Sequence, residues 1–232
     1  MPDRRKRETV LSLLFPRRCP FCGAIVGQAL LCSGCRTKLP FTKEHAVVEG
    51  GFGRCAAPLY YEETVRRALL DFKFKGKMGG LDCFGMLLAD CAAEHFSGQF
   101  DTVTWVPVSR KRRRDRGFDQ SRCLADRVCA AWDMQPVTTL CKAVDTPPQS
   151  GINTPEGRRA NVLGVYETVP ENVCGRKLLL IDDILTTGAT LGECVRVLKE
   201  AGAADVVCLT VARTRNGRIM PKQTAHNSKV YG

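Results

Sequence analysis

Residues 178–190 read LLLIDDILTTGAT, and this stretch decides the fold. Four apolar residues, Leu178 to Ile181, run into two adjacent carboxylates, Asp182 and Asp183. A loop of small and hydroxylated residues follows: Thr186, Thr187, Gly188, Ala189 and Thr190. Leu191, Cys194, Val195 and Leu198 then recur at helical spacing. The pattern predicts a buried strand feeding a tight loop at a helix N-terminus, where backbone N–H groups and the helix dipole bind phosphate. Gly188 permits close backbone approach to an anion, and the threonines add hydroxyl donors. The carboxylates at the strand's end could accept hydrogen bonds from sugar hydroxyls beside that phosphate, so the expected ligand is a ribose 5-phosphate group. Taken singly, an Asp pair after a strand is an ordinary turn and a Thr-Gly loop is common; the specificity lies in their order and spacing.

An apolar run followed by Asp-Asp also fits the Walker B strand of an ATPase, which requires a G-x-x-x-x-G-K-[ST] loop upstream. Gly76-Lys77 is followed by Met78, and no glycine stands five residues before Gly76. The ATPase reading fails. The strand, acidic pair and loop resemble the 5-phosphoribosyl-1-pyrophosphate (PRPP) motif of type I phosphoribosyltransferases. That resemblance implies that Asp182 and Asp183 hold the ribose 2′- and 3′-hydroxyls, and that Thr186, Thr187, Gly188, Ala189 and Thr190 hold the 5′-phosphate.

The chain has 232 residues, 44% of them hydrophobic, enough for one α/β domain with a small appendage. No apolar run reaches the roughly 18 residues that a membrane span needs. Val10 to Phe15 is too short for a signal-peptide core and no small-residue cleavage site follows it, so a cytoplasmic protein without membrane insertion is expected. Thirteen cysteines, an odd count, argue against a disulfide framework in such a compartment. Four of them form two C-x-x-C pairs, Cys19 with Cys22 and Cys32 with Cys35, nine residues apart. Paired knuckles bring four thiolates to one Zn²⁺ and leave no open position, so the metal is expected to be structural. Gly23 and Gly34 fall where such knuckles want permissive backbone. Two redox-active pairs are the alternative; neither opens a helix within a βαβ pattern. Chelation is expected to unfold residues 19–40 locally and to spare the α/β body.

The formal charge of +11 is clustered. Arg4 to Arg7 form one group, Arg110, Lys111, Arg112, Arg113, Arg114 and Arg116 the densest, and Arg213 to Lys229 holds five basic residues and no acidic one. Any one run is equally a solvated face; three together favour a phosphate-rich partner, with single-stranded DNA the candidate and Arg110 to Arg114 its contacts. Strand–helix alternation from about residue 55 predicts a parallel sheet flanked by helices, with ligands at the strands' C-terminal edge. The expected organisation is a basic lead-in (1–18), a zinc module (19–40), a glycine-rich linker (41–54), the α/β domain (55–213) and a disordered basic tail (214–232). A strand over 101–108 runs into an Arg-Gly loop, and a helix after Gly117-Phe118 makes that loop a second anion site.

With these pieces in order, the chain resembles the ComF family, zinc-finger-bearing phosphoribosyltransferase-like proteins linked to DNA uptake in competent bacteria. The resemblance spans about residues 19–213. It rests on the paired C-x-x-C module, Val106-Pro107-Val108, the segments Arg114–Gln120 and Gln149–Asn161, and IDDILTTGAT; Asp119 stands where the family usually has Asn. It implies a type I phosphoribosyltransferase-like fold in which Arg116-Gly117 serve the pyrophosphate and residues 141–161 form a hood with Gln149, Arg158 and Asn161. The implied chemistry is displacement of pyrophosphate from ribose C1 with Mg²⁺, Asp182, Asp183 and Arg116 being the groups at the reacting centre. The hood matches no base-specific pattern. Three readings stay open: a PRPP-binding protein of DNA uptake partnered by single-stranded DNA, an active phosphoribosyltransferase on an unidentified acceptor, and a zinc-mediated adaptor for other uptake proteins.

Overall fold

A computed structural model describes residues 16–75, 78–143 and 164–215. In chain order the described strands are β1 (Val47–Gly50), β2 (Gly53–Ala56), β3 (Leu59–Tyr60), β4 (Thr102–Trp105), β5 (Leu140–Lys142), β6 (Tyr166–Thr168), β7 (Lys177–Leu185) and β8 (Asp205–Arg213). The described α-helices are α1 (Ser33–Lys38), α2 (Glu63–Lys75), α3 (Leu81–Phe96), α4 (Arg110–Arg116), α5 (Gln120–Ala130) and α6 (Ala189–Glu200).

The main sheet runs β1-β2-β8-β7-β4, with β3 also on β8. Its pairings are parallel except at the β1 edge, where Val47 faces Ala56 and Gly50 faces Gly53 in an antiparallel hairpin. Leu178 to Ile181 of β7 are fully buried, because a parallel strand covered on both faces has no polar side to show. The period of two divides them. Leu179 and Ile181 join Leu69, Phe72, Phe84, Leu88, Leu124 and Val128 of α2, α3 and α5, while Leu178 and Leu180 join Leu191, Cys194 and Leu198 of α6. The C-terminal ends of β7 and β4 thus open between α2 and α5 on one side and α6 on the other. A separate antiparallel pair, β5 with β6, flanks residues 144–163.

Several expectations change. The stretch 41–54 is not a linker: it contains β1 and the start of β2, and β2 pairs with β8 through Arg54 to Ala56. Gly50, Gly51 and Gly53 are its hairpin turn, with Gly53 at φ +77°. β2 ends at Ala56 ahead of Pro58, which has no N–H to donate, and the chain is extended again in β3 from Leu59. The Arg-rich stretch is a helix, α4, rather than a loop. Ser109 Oγ accepts from Arg112 N at 3.3 Å to cap its start, and Gly117 at φ +80° ends it.

The zinc module packs into the body. Cys19, Phe21, Leu31 and Leu39 are buried in the same core as α2, α3 and α5. The Phe21 ring meets Phe84 edge-on at 5.9 Å. A Cβ on Gly80 would stand 2.9 Å from Pro20 Cβ, so the two parts are in van der Waals contact. Of the tail, Thr214 and Arg215 are described and docked: Thr214 N donates to Leu185 O and Arg215 Nε to Glu62. The rest of the tail, the lead-in up to residue 15, and Gln149, Arg158 and Asn161 of the hood lie outside the described residues.

Candidate functional site

Asp182 and Asp183 stand where β7 leaves the sheet. Asp182 Oδ1 accepts from Ser121 Oγ at 3.0 Å and from Asp183 N at 2.9 Å. Asp183 Oδ2 is ion-paired with Lys73 Nζ of α2. Burial, and then the neighbouring Asp183 carboxylate, pushes Asp182 far above the usual carboxylate range, while Lys73 opposes the shift.

The loop after β7 turns into α6 at Gly188, which has φ +76° and offers no side-chain cap. The N-cap residue thus places no side chain over the first turn of α6. Thr187 turns back into the loop, its Oγ1 lying 3.5 Å from Ala189 N. Beneath the loop lies Phe52, from the β1–β2 turn. A Cβ on Gly188 would come 2.3 Å from Phe52 Cδ1. Gly188→Ala therefore combines a disfavoured backbone with a clash against a buried ring, and is expected to cost about 2–5 kcal/mol. Thermal denaturation would register it as a fall in Tm; an unchanged Tm would mean that the loop is free to move.

From the opposite wall come Arg116 and α5. Arg116 NH1 donates to Gln120 Oε1 at 2.9 Å, and its guanidinium lies 4.8 Å from the Phe74 ring centre. Asp119, the departure from the family's Asn, caps α5 by accepting from Arg122 N at 3.1 Å and also accepts from Val108 N at 3.2 Å. The two bonds use different carboxylate oxygens, so Asp119 accepts both, whereas an Asn could accept only one of them through its single amide oxygen.

These groups enclose one cavity of about 700 Å³. Its walls include Asp182, Asp183, Thr186, Gly188, Ala189, Thr190 and Arg116 of the expected site, but not Thr187 or Gly117. They also include residues the sequence reading did not assign to the site: Lys73, Ser121, Lys142 and Tyr166. Lys73 carried a signal, since it belongs to a lysine cluster at the C-terminal end of α2; Ser121 carried none. The basic cluster is divided. Arg112 faces this cavity, whereas Arg110, Arg113 and Arg114 with Gly117 line a second hollow of about 690 Å³; Lys111 is exposed.

The four cysteine Sγ atoms, Cys19, Cys22, Cys32 and Cys35, lie within 4.8 Å of one another. A Zn–S length of about 2.3 Å puts tetrahedral sulfurs about 3.8 Å apart, so the cluster fits one Zn²⁺. Cys32 Sγ accepts from Cys35 N at 3.2 Å and lies 3.6 Å from Cys22 Sγ. Gly23 takes φ +78° at the first knuckle, while Gly34 is ordinary helix within α1. Burial raises the Cys19 thiol, but N–H groups of Cys32, Phe21 and Cys22 outweigh it and bring it down to about 7. Of the other nine cysteines, Cys55, Cys83, Cys91, Cys129, Cys194 and Cys208 are buried. No described helix is long and apolar enough to cross a membrane.

Comparison with known proteins adds the following. The Double zinc ribbon domain family matches residues 10–67, and the Phosphoribosyl transferase domain family matches residues 140–229. Competence protein ComFC of Bacillus subtilis (strain 168) is 25% identical over 84% of this chain and 78% of its own length. Competence protein F of Haemophilus influenzae is 23% identical over 84% of this chain and 90% of its own. DNA utilization protein YhgH of Escherichia coli (strain K12) is 26% identical over 84% of each. Among solved structures, glutamine PRPP amidotransferase from B. subtilis superposes with a TM-score of 0.42 at 20% identity, over 61% of this chain and 30% of that one, too loosely to add to the fold described above. The chain is thus a relative of the ComF-type competence and DNA utilization proteins, with a four-cysteine zinc ribbon packed against a parallel α/β sheet of the phosphoribosyltransferase kind.

Proposed function

We propose that this chain binds PRPP with Mg²⁺ and acts in DNA uptake with single-stranded DNA as its partner. One observation carries the PRPP reading: a carboxylate pair, an uncapped helix N-terminus and a guanidinium converge on a single cavity of about 700 Å³. In this reading Asp182 and Asp183 accept from the ribose hydroxyls, and Thr186 to Thr190 with the first turn of α6 take the 5′-phosphate. Arg116, at the turn completed by Gly117, neutralises the pyrophosphate. Mg²⁺ is carried largely by the substrate's own phosphates and water, and when bound it spreads the pyrophosphate charge. Lys73 compensates Asp183, which reduces the negative charge that the 5′-phosphate meets beside the carboxylate pair. The relatives' names, competence and DNA utilization, support the DNA context, as do the guanidinium groups of α4. The adaptor reading is less favoured, because the zinc module shares the body's core.

Calorimetric titration with PRPP and Mg²⁺ tests the reading directly; no heat at millimolar ligand would refute it. The titration should also depend on pH. Asp182 rises to about 7, so in the free protein it holds a proton at mildly acidic pH that it must release to accept from two hydroxyls near a cation. Affinity should climb between pH 6 and 8, with proton uptake by the buffer; the Asp182→Asn variant should lose that share while keeping the phosphates' own titration. The sign for the free protein is opposite. A carboxyl raised in the folded state binds more protons than in the unfolded chain between about pH 4 and 7, so that contribution to stability is lost as pH rises through the window. A flat difference between wild type and Asp182→Asn across it would refute the assignment.

A further inference from the structure

Phe74 is one of two large hydrophobic side chains exposed among the described residues, at 64%. Core packing does not account for it: α2 buries Val65, Ala68, Leu69 and Phe72, and Phe74 lies off that face. It lines the mouth of the ribose-phosphate cavity instead, with the Arg116 guanidinium 4.8 Å from its ring centre. Arg116 is itself held by Gln120 Oε1, so its guanidinium is anchored beside the ring, most of which is open to solvent.

The chain passes directly from Arg116 to Gly117, which opens the second hollow between Arg110, Arg113 and Arg114. The spacing explains the division. Arg110, Arg113 and Arg114 stand at i, i+3 and i+4 and share the outer face of α4, whereas Arg112 and Arg116, four apart, share the inner one. An aromatic ring against one guanidinium, with three more arginines on the next face of the same helix, offers the chemistry that grips single strands: bases stack on the ring, and phosphates lie on the cations.

We propose that Phe74 is a base-stacking platform for single-stranded nucleic acid at the cavity mouth, with the outer face of α4 holding the strand's phosphates. The inference rests on the DNA part of the function proposed above and gives it an address. It also places the strand's phosphates and PRPP on opposite faces of α4, with the stacked base at the rim of the PRPP cavity beside Arg116.

Fluorescence anisotropy with a labelled oligothymidylate and an abasic oligomer of equal length and charge tests it. The wild type should favour the thymidylate by about tenfold, the usual scale for stacking of a base or two. Phe74→Ala should bring the thymidylate to the abasic level, and Phe74→Tyr should retain the preference. Replacing Arg110, Arg113 and Arg114 by Gln should weaken both oligomers and reduce the salt slope by about 0.7 per lost phosphate contact. Saturating Mg²⁺–PRPP should leave the affinity for the abasic oligomer, held by the outer arginines alone, within about twofold. Equal affinity for the two oligomers, or a preference that survives Phe74→Ala, overturns the platform. Exclusion of the abasic oligomer by PRPP overturns the two-face arrangement. If neither oligomer binds at low salt, the DNA partnership itself fails and this inference falls with it.

Discussion

The Asp182→Ala, Asp183→Ala double variant is expected to lose Mg²⁺–PRPP binding by about a thousandfold or more. Hydrogen bonds to ionised groups contribute about 1.5–3 kcal/mol each, and two lost acceptors amount to roughly 4 kcal/mol. The loss must be separated from misfolding, because the pair is embedded in contacts: Ser121 Oγ donates to Asp182, and Lys73 is ion-paired with Asp183. Removing both carboxylates leaves Lys73 without that anion, a change costly in a part-buried site. Asp182 pulls the other way, since burial already disfavours its ionised form. The isosteric Asp182→Asn, Asp183→Asn variant keeps the volumes and one neutral acceptor at each position. It should bind more weakly than wild type but more tightly than the alanine variant, while melting within a few degrees of wild type. Calorimetry and thermal melts on the same preparations provide the check. Undiminished PRPP binding in the alanine variant would overturn the site.

The sequence makes one half of this site plain because its signals are local. Leu178 to Ile181 are apolar on both alternations, which only a strand buried on both faces tolerates, and Leu191, Cys194 and Leu198 repeat at helical spacing in the partner layer. The other half is set by contacts between distant residues. Ser121 reaches Asp182 across 61 positions, and Phe52 props Gly188 from a turn whose glycines look like a linker. Helix α4 escapes a periodicity search for a simple reason: RKRRRDR has no apolar residue to mark a face. Its boundaries were nevertheless written in Ser109 and Gly117, a cap and a left-handed stop with seven residues between them, which are readable without any hydrophobic pattern. The zinc module's four cysteines announce a metal, but spacing says nothing of what the module packs against.

That packing governs the second large effect. Removing the zinc, by chelation or by Cys19→Ser with Cys32→Ser, is expected to destabilise the whole described fold and not residues 19–40 alone. Phe21, Leu31 and Leu39 sit at 2%, 4% and 7% exposure in the core that α2, α3 and α5 share. Each buried side chain of this kind contributes about 1.5–3 kcal/mol, so a disordered ribbon forfeits roughly 5–8 kcal/mol, an upper figure given residual structure in the unfolded chain. A domain's net stability is about 5–15 kcal/mol, so a loss of this size is not local. The damage has a direction as well. Phe21 abuts Phe84, Phe84 abuts Phe72 at 5.8 Å, and Phe72 abuts Phe118 at 5.7 Å, one residue from the Gly117 turn. Uncovering Phe84 therefore loosens the packing that seats α2, which carries Lys73 and Phe74, and the turn beside Arg116. Near-UV circular dichroism during heating should show a single transition lowered by about 10–30 °C, at roughly 2–4 °C per kcal/mol for a chain of this size. Amide exchange should accelerate across α3 as well as across the ribbon, and Mg²⁺–PRPP affinity should fall in parallel. If the metal-free protein instead melts at the wild-type temperature with α3 fully protected, the ribbon is an independent unit and its burial against Phe84 contributes little to holding the α/β sheet together.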